Sequence, residues 1–194
     1  LTSAGRMLRM SALELPTLPP LGGAPSLSGG APLGLFADLP AGEEPLTIVG
    51  LDAEGPGIAL GTAQGVVKRV TPEHPSRPHW EVIGLKEGDR VVGATALHDG
   101  EEDLVFVTSD AQLLRFPASS VRPQGRAAGG MSGIRLSPGA SVVFFGAVDP
   151  GSDAVVVTSS GSADALPGTQ PGAIKVTPYA EYPAKGRATG GVRC

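Results

Sequence analysis

A phrase of about ten residues recurs along this chain, and its spacing limits the possible folds more than any other feature. A short β-rich run ends on Thr-Ser or a variant, turns on small residues and resumes with a basic residue. It reads Leu1-Thr2-Ser3-Ala4-Gly5-Arg6-Met7-Leu8-Arg9-Met10, then Leu60-Gly61-Thr62-Ala63-Gln64-Gly65-Val66-Val67-Lys68-Arg69-Val70, then Val107-Thr108-Ser109-Asp110-Ala111-Gln112-Leu113-Leu114-Arg115-Phe116. A weaker copy begins at Val157-Thr158-Ser159-Ser160-Gly161. The threonines stand at 2, 62, 108 and 158, in steps of 60, 46 and 50 residues. A period of that size predicts a propeller-like array of small sheets.

Composition agrees once the period is known. The chain has 29 Gly and 19 Pro among 194 residues, a share that would suggest disorder in an aperiodic sequence. Here they fall between regular β-rich runs and act as turns. No window has the apolar spacing of an amphipathic helix, and Gly and Pro cost helix interiors about 1 and 3 kcal/mol. The expectation is an all-β chain with a core drawn from its 41% hydrophobic residues. No apolar run approaches the roughly 18 residues of a membrane span, and no secretion signal is recognisable, so a soluble, cytoplasmic protein is expected.

A second recurrent unit follows each phrase. It is seen from Val82 through Gly88 to Ala94, again from Gly133 through Gly139 to Phe145, and more loosely from Leu33 through Gly42 to Glu44. Each is read as a hairpin, so that two hairpins per repeat form a four-stranded blade. The repeats are 1–57, 58–103, 104–153 and 154–194, and a Pro-, Gly- and Ser-rich stretch at 15–32 lengthens the first as a surface loop. Acidic or Gly-rich connectors at 52–57, 99–103 and 149–153 are expected to be exposed links between blades. Both chain ends fall inside a repeat, which suggests either a piece of a longer polypeptide or two ends sharing one blade.

The net charge of −4 argues against a simple nucleic-acid-binding chain, but the charges are unevenly distributed. No acidic residue lies between Asp110 and Asp149, where Arg115, Arg122, Arg126 and Arg135 stand. Residues 165–194 hold Lys175, Lys185, Arg187 and Arg193 against Glu181 alone. Repetition would place basic residues on one rim of the blades and acidic connectors on another, leaving a surface for a polyanion.

The loop phrases Gln124-Gly125-Arg126-Ala127-Ala128-Gly129-Gly130 and Lys185-Gly186-Arg187-Ala188-Thr189-Gly190-Gly191 add a further signature. With the Thr-Ser phrase and the Leu-x-x-Gly turn, they make nearly the whole chain resemble the C-terminal domain of the A subunit of bacterial type II topoisomerases, DNA gyrase and topoisomerase IV. The resemblance implies an all-β, propeller-like β-pinwheel whose blades exchange strands and whose basic rim binds and bends double-stranded DNA independently of sequence. It places phosphate contacts on Arg6, Arg9, Lys68, Arg69, Arg115, Arg122, Arg126, Lys175, Lys185 and Arg187. The implied partners are duplex DNA and, in the full enzyme, a breakage-reunion domain and an ATPase subunit. Gyrase-type domains carry a box of the form Gln-Arg-Arg-Gly-Arg-Gly-Gly-Lys-Gly. Here it is reduced to Gly-Arg-Ala-Ala-Gly-Gly and Gly-Arg-Ala-Thr-Gly-Gly, and the first repeat keeps only Ser28-Gly29-Gly30, which implies weak binding and bending.

Nothing in the chain suggests catalysis. The parent enzyme's tyrosine belongs to another domain, and Tyr179 and Tyr182 lie in a Pro-rich loop where packing or a phosphate hydrogen bond is expected. No Gly-x-Ser-x-Gly elbow occurs, and the Gly125–Gly130 loop lacks the Lys-Ser/Thr ending of a phosphate-binding loop. Cys194 is the sole cysteine and His74, His79 and His98 are scattered, so no metal or other cofactor is expected. Trp80 is expected to anchor packing. The alternative function is a propeller-like protein-interaction scaffold without DNA binding. An enzyme built on a propeller would need converging carboxylates or histidines, which are not found.

Overall fold

The computed structural model describes residues 1–17, 30–51, 54–161 and 172–194. Most of the stretch at 15–32, two residues of the first connector and the tip of the last hairpin fall outside these residues. Thirteen strands form among the described residues: β1 Arg6–Leu8, β2 Ile58–Thr62, β3 Val66–Val70, β4 His79–Glu81, β5 Val91–Ala96, β6 Asp103–Thr108, β7 Gln112–Pro117, β8 Pro123–Gln124, β9 Met131–Ser132, β10 Val142–Val148, β11 Val155–Ser160, β12 Ala173–Pro178 and β13 Val192–Arg193. The remaining regular structure is short 3-10 turns, and no described helix is long and apolar enough to cross a membrane.

The threonine of the first three phrases starts a turn, whereas Thr158 of the weaker fourth copy lies within β11, opposite Lys175. Thr62 is fully buried, its hydroxyl accepts from the Val66 amide, and its carbonyl accepts from Gly65. Thr108 does the same for Gln112 and Ala111. The residue three after Thr2, Thr62 and Thr108 is left-handed, with φ of 71° at Gly5, 83° at Gly65 and 58° at Ala111. That backbone favours Gly and strains larger residues, hence the small residues of the phrase.

The second unit does not close on itself as the hairpin expected from sequence. Its two arms join different sheets. The first arm adds to the preceding phrase, where the carbonyls of Gly5, Gly65 and Ala111 accept from the amides of Val82, Gly133 and Cys194. The second arm becomes β5 or β10, which pairs with β2 or β6 of its own repeat. The sheets therefore run β10-β6-β7-β13 and β5-β2-β3-β8, with β9 also on β3, and each draws strands from two repeats. This is the strand exchange of a β-pinwheel. Near the start, β1 pairs with β4 and Thr2 bridges to Pro45, whereas β13 lies in the β6–β7 sheet. The two ends do not share a blade.

Three apolar clusters hold neighbouring sheets together. One centres on Met7, Leu60, Trp80 and Val91, one on Phe106, Phe116, Ile134 and Phe145, and one on Val105, Leu113, Tyr179 and Tyr182. Trp80 is a packing anchor, at 5% exposure. The connectors are less exposed than their composition suggests. Glu102 is buried and its carboxylate accepts from the amides of His98 and Gly100, while Asp103 is buried against Arg115 and Tyr179. The hairpin β11–β12 differs from the others in leaving Val155, Val157, Ile174 and Val176 more than half exposed.

Candidate nucleic-acid interface

The ten cations predicted to contact phosphate fall into two groups, separated by their position in the repeat. Arg9, Arg69 and Arg115 each stand seven residues after the phrase threonine. Each holds an intramolecular partner in the segment that the next repeat lays across the blade. Arg9 donates to the carbonyls of Pro75 and Arg77 and lies 5.5 Å from the Trp80 ring centre. Arg69 donates to the carbonyls of Ala118, Val121 and Pro56. Arg115 stacks 4.5 Å from the Tyr179 ring centre and pairs with Asp103 at 3.5 Å. These are struts between repeats, and their recurrence reflects the fold.

Lys68, one position earlier, is fully buried. Its ammonium donates to the carbonyls of Val82 at 2.7 Å, Arg126 at 3.0 Å and Ala128 at 2.6 Å. Burial pushes it down to about 8 from the ordinary lysine value. The Lys68 ammonium is thus engaged inside the chain, unlike the direct phosphate contact expected of it from sequence. Its place in the strand explains why, because the equivalent positions hold Leu8 and Leu114, and β3 turns this residue inward. Arg6 is tied to Glu43 at 3.1 Å and is one-third exposed.

The second group lies on the loops and edges. Arg122, which opens the exchange loop, and Lys175, on β12, are exposed, while Arg126 is partly exposed. No side-chain hydrogen bond or ion pair engages these three among the described residues. Lys185 donates to the carbonyls of Gly190 and Gly191 at the surface, and Arg187 donates to the Ser132 carbonyl at 2.6 Å. Arg135 was not among the ten, yet it is exposed between two turns and unpaired among the described residues. The acid-free stretch from Ala111 to Val148 was the signal that could have added it.

The exchange loop Gly125–Gly130 forms one wall of an open groove. Arg126 lines it from this side, and Arg77, His79, Glu73 and Glu81 line it from the segment around β4. Tyr179 and Tyr182 are 2% and 4% exposed, and the Tyr179 hydroxyl donates to Asp103 at 3.1 Å, so neither is placed to touch a ligand. Burial raises the Tyr179 phenol well above its ordinary range. Among the described residues, no group of three His, Cys, Asp or Glu side chains is arranged to hold a metal.

A family model described as the DNA gyrase C-terminal domain, beta-propeller, matches residues 102–149 and 168–194. The chain is 31% identical over 200 residues to the A subunit of DNA gyrase from Staphylococcus epidermidis, a match covering 99% of the chain and 20% of that protein. It thus spans about a fifth of the length of this relative. A crystal structure of the C-terminal domain of DNA topoisomerase IV superposes with a TM-score of 0.78 at 26% identity, covering 99% of this chain and 56% of that one. A gyrase A C-terminal domain structure shares the fold, with a TM-score of 0.71 at 18% identity over 98% of this chain and 57% of that one.

Proposed function

The chain belongs to the family of C-terminal β-pinwheel domains of bacterial type II topoisomerase A subunits, and on that premise we propose that it binds and bends double-stranded DNA without reading its sequence. The observation that carries this reading is the set of outward-facing cations Arg122, Arg126 and Arg135 in a stretch with no acidic residue from 111 to 148. Guanidinium groups on loops engage phosphate oxygens and release counterions, which gives affinity with little base discrimination. Lys175, Lys185 and Arg187 extend the surface onto the next repeat.

Magnitudes favour a modest effect for this chain alone. Non-specific binding with a Kd of roughly 10⁻⁴ to 10⁻⁶ M supplies about 5.5–8 kcal/mol. Bending 20–30 base pairs by 40–90° consumes about 1–6 kcal/mol of it. The chain therefore acts as a non-catalytic accessory to a larger enzyme, whose breakage-reunion domain and ATPase subunit carry out supercoiling, relaxation or decatenation. The exposed apolar residues of β11–β12 favour a second reading, contact with another polypeptide surface. Fluorescence anisotropy with labelled duplexes of unrelated sequence tests the first. Equal affinities that weaken with salt are expected, and binding confined to one sequence or insensitive to salt contradicts it.

A further inference from the structure

We propose that Lys68 is a positioning residue for DNA binding: its buried ammonium holds the Gly125–Gly130 loop in the shape that presents Arg126 to the groove facing Arg77 and His79. This rests on the DNA-binding reading above and adds to it an internal part that touches no DNA.

A cation with no exposure and no carboxylate partner among the described residues is costly to bury unless its protons are all satisfied. Lys68 meets this condition with three carbonyl acceptors, two of them in the loop. Hydrogen bonds from charged donors are the stronger kind. The loop's own backbone ties are longer, Ala128 to the Gly125 carbonyl at 3.2 Å and Gly84 to the Ala128 carbonyl at 3.4 Å. With glycine at 125, 129 and 130, the segment has much backbone freedom to lose, and Lys68 is its tightest restraint.

The next repeat supplies an internal comparison. There Leu114 takes the place of Lys68, and the equivalent loop is tied at its exposed face by Lys185, at 3.2 Å and 3.4 Å. An exchange loop therefore folds over a leucine, and the fold does not require a buried lysine at this position. What Lys68 adds is a fixed loop, and Arg126 is the side chain whose backbone carbonyl it grips. An arginine on a pre-shaped loop loses less entropy on meeting a phosphate.

The test is a double-mutant cycle on this chain with a labelled duplex of about 30 base pairs, accompanied by hydrogen exchange without DNA. Lys68→Met keeps the side-chain stem and removes the donors. Exchange at Gly125–Gly130 should quicken while β2 and β3 stay protected. Arg126→Ala should weaken binding about tenfold in the parent chain but under about threefold beside Lys68→Met, with Arg122→Ala costing the same factor in both. Additive effects of Lys68→Met and Arg126→Ala, or unchanged loop exchange, overturn the proposal. If Lys68→Met does not fold, Lys68→Leu repeats the cycle, and unfolding of both overturns it by assigning Lys68 to the fold alone. A parent chain that binds no duplex removes the DNA-binding reading as well, whereas additive effects on intact binding remove only this inference.

Discussion

Arg115 lies over the Tyr179 ring, 4.5 Å from its centre, and ties the third phrase to the segment that follows β12. The pair is closed by Asp103, which meets the guanidinium at 3.5 Å and accepts from the phenol at 3.1 Å. Sheet packing, the cation–π contact and the ion pair all act at one point between repeats.

Arg115→Ala should therefore act on stability. Removing one partner leaves the Asp103 charge and the phenol in a buried setting, at a cost of about 3 kcal/mol. Arg122→Ala should stay within about 0.5 kcal/mol of the parent chain, because its side chain is exposed and unpaired among the described residues. Urea unfolding of both variants checks this, and the reverse ranking would contradict the division of the cations into struts and free groups.

A second prediction concerns the packing between the second and third sheets. A methyl group on Gly61 would run into the Phe145 ring, which is itself held edge-on to Phe106 at 4.9 Å. Gly61→Ala should lower stability by about 2 kcal/mol through overpacking. Thermal unfolding measures it, and a neutral effect would mean that this interface is looser than described.

Lys68 gives stability a defined pH dependence. Its folded value of about 8 lies below the ordinary lysine value of 10.5, so between those limits the unfolded chain holds the proton that the folded chain has lost. Unfolding free energy must then rise with pH across that window, while below it the cost of burying the charged group is fully present and adds no pH slope. The difference between the parent chain and Lys68→Met, followed by urea titration from about pH 7 to 10, should show the rise above about pH 8. A decline over the same range would contradict the assignment.

The blade turns were legible in the sequence because they depend on local chemistry, namely a threonine to accept from the turn and a small residue to take φ of 58–83°. The strand exchange was not legible from the residues of the second unit, since Val82 to Ala94 has the pattern of a local hairpin. The split shows in the pairing, where Val82 bonds to the Gly5 carbonyl beside the β1–β4 ladder while β5 pairs with β2. The candidate site was half legible for a related reason. Recurrence of Arg9, Arg69 and Arg115 is visible, but the acceptors of Arg9 and Arg69 are backbone carbonyls, which no residue type announces, and Arg115 meets Asp103 and Tyr179 only through the fold. Lys68 could have been placed inside by setting it beside Leu8 and Leu114 in the repeat.

The salt dependence of duplex binding tests the central claim most directly, with Arg122, Arg126 and Arg135 changed together to alanine. Each phosphate contact adds about 0.9 to the slope of log K against log salt, so the triple variant should lose about 2 to 3 units of slope while remaining folded. An unchanged slope in the variant, or a parent chain whose binding ignores salt, would show that these loop cations do not hold DNA.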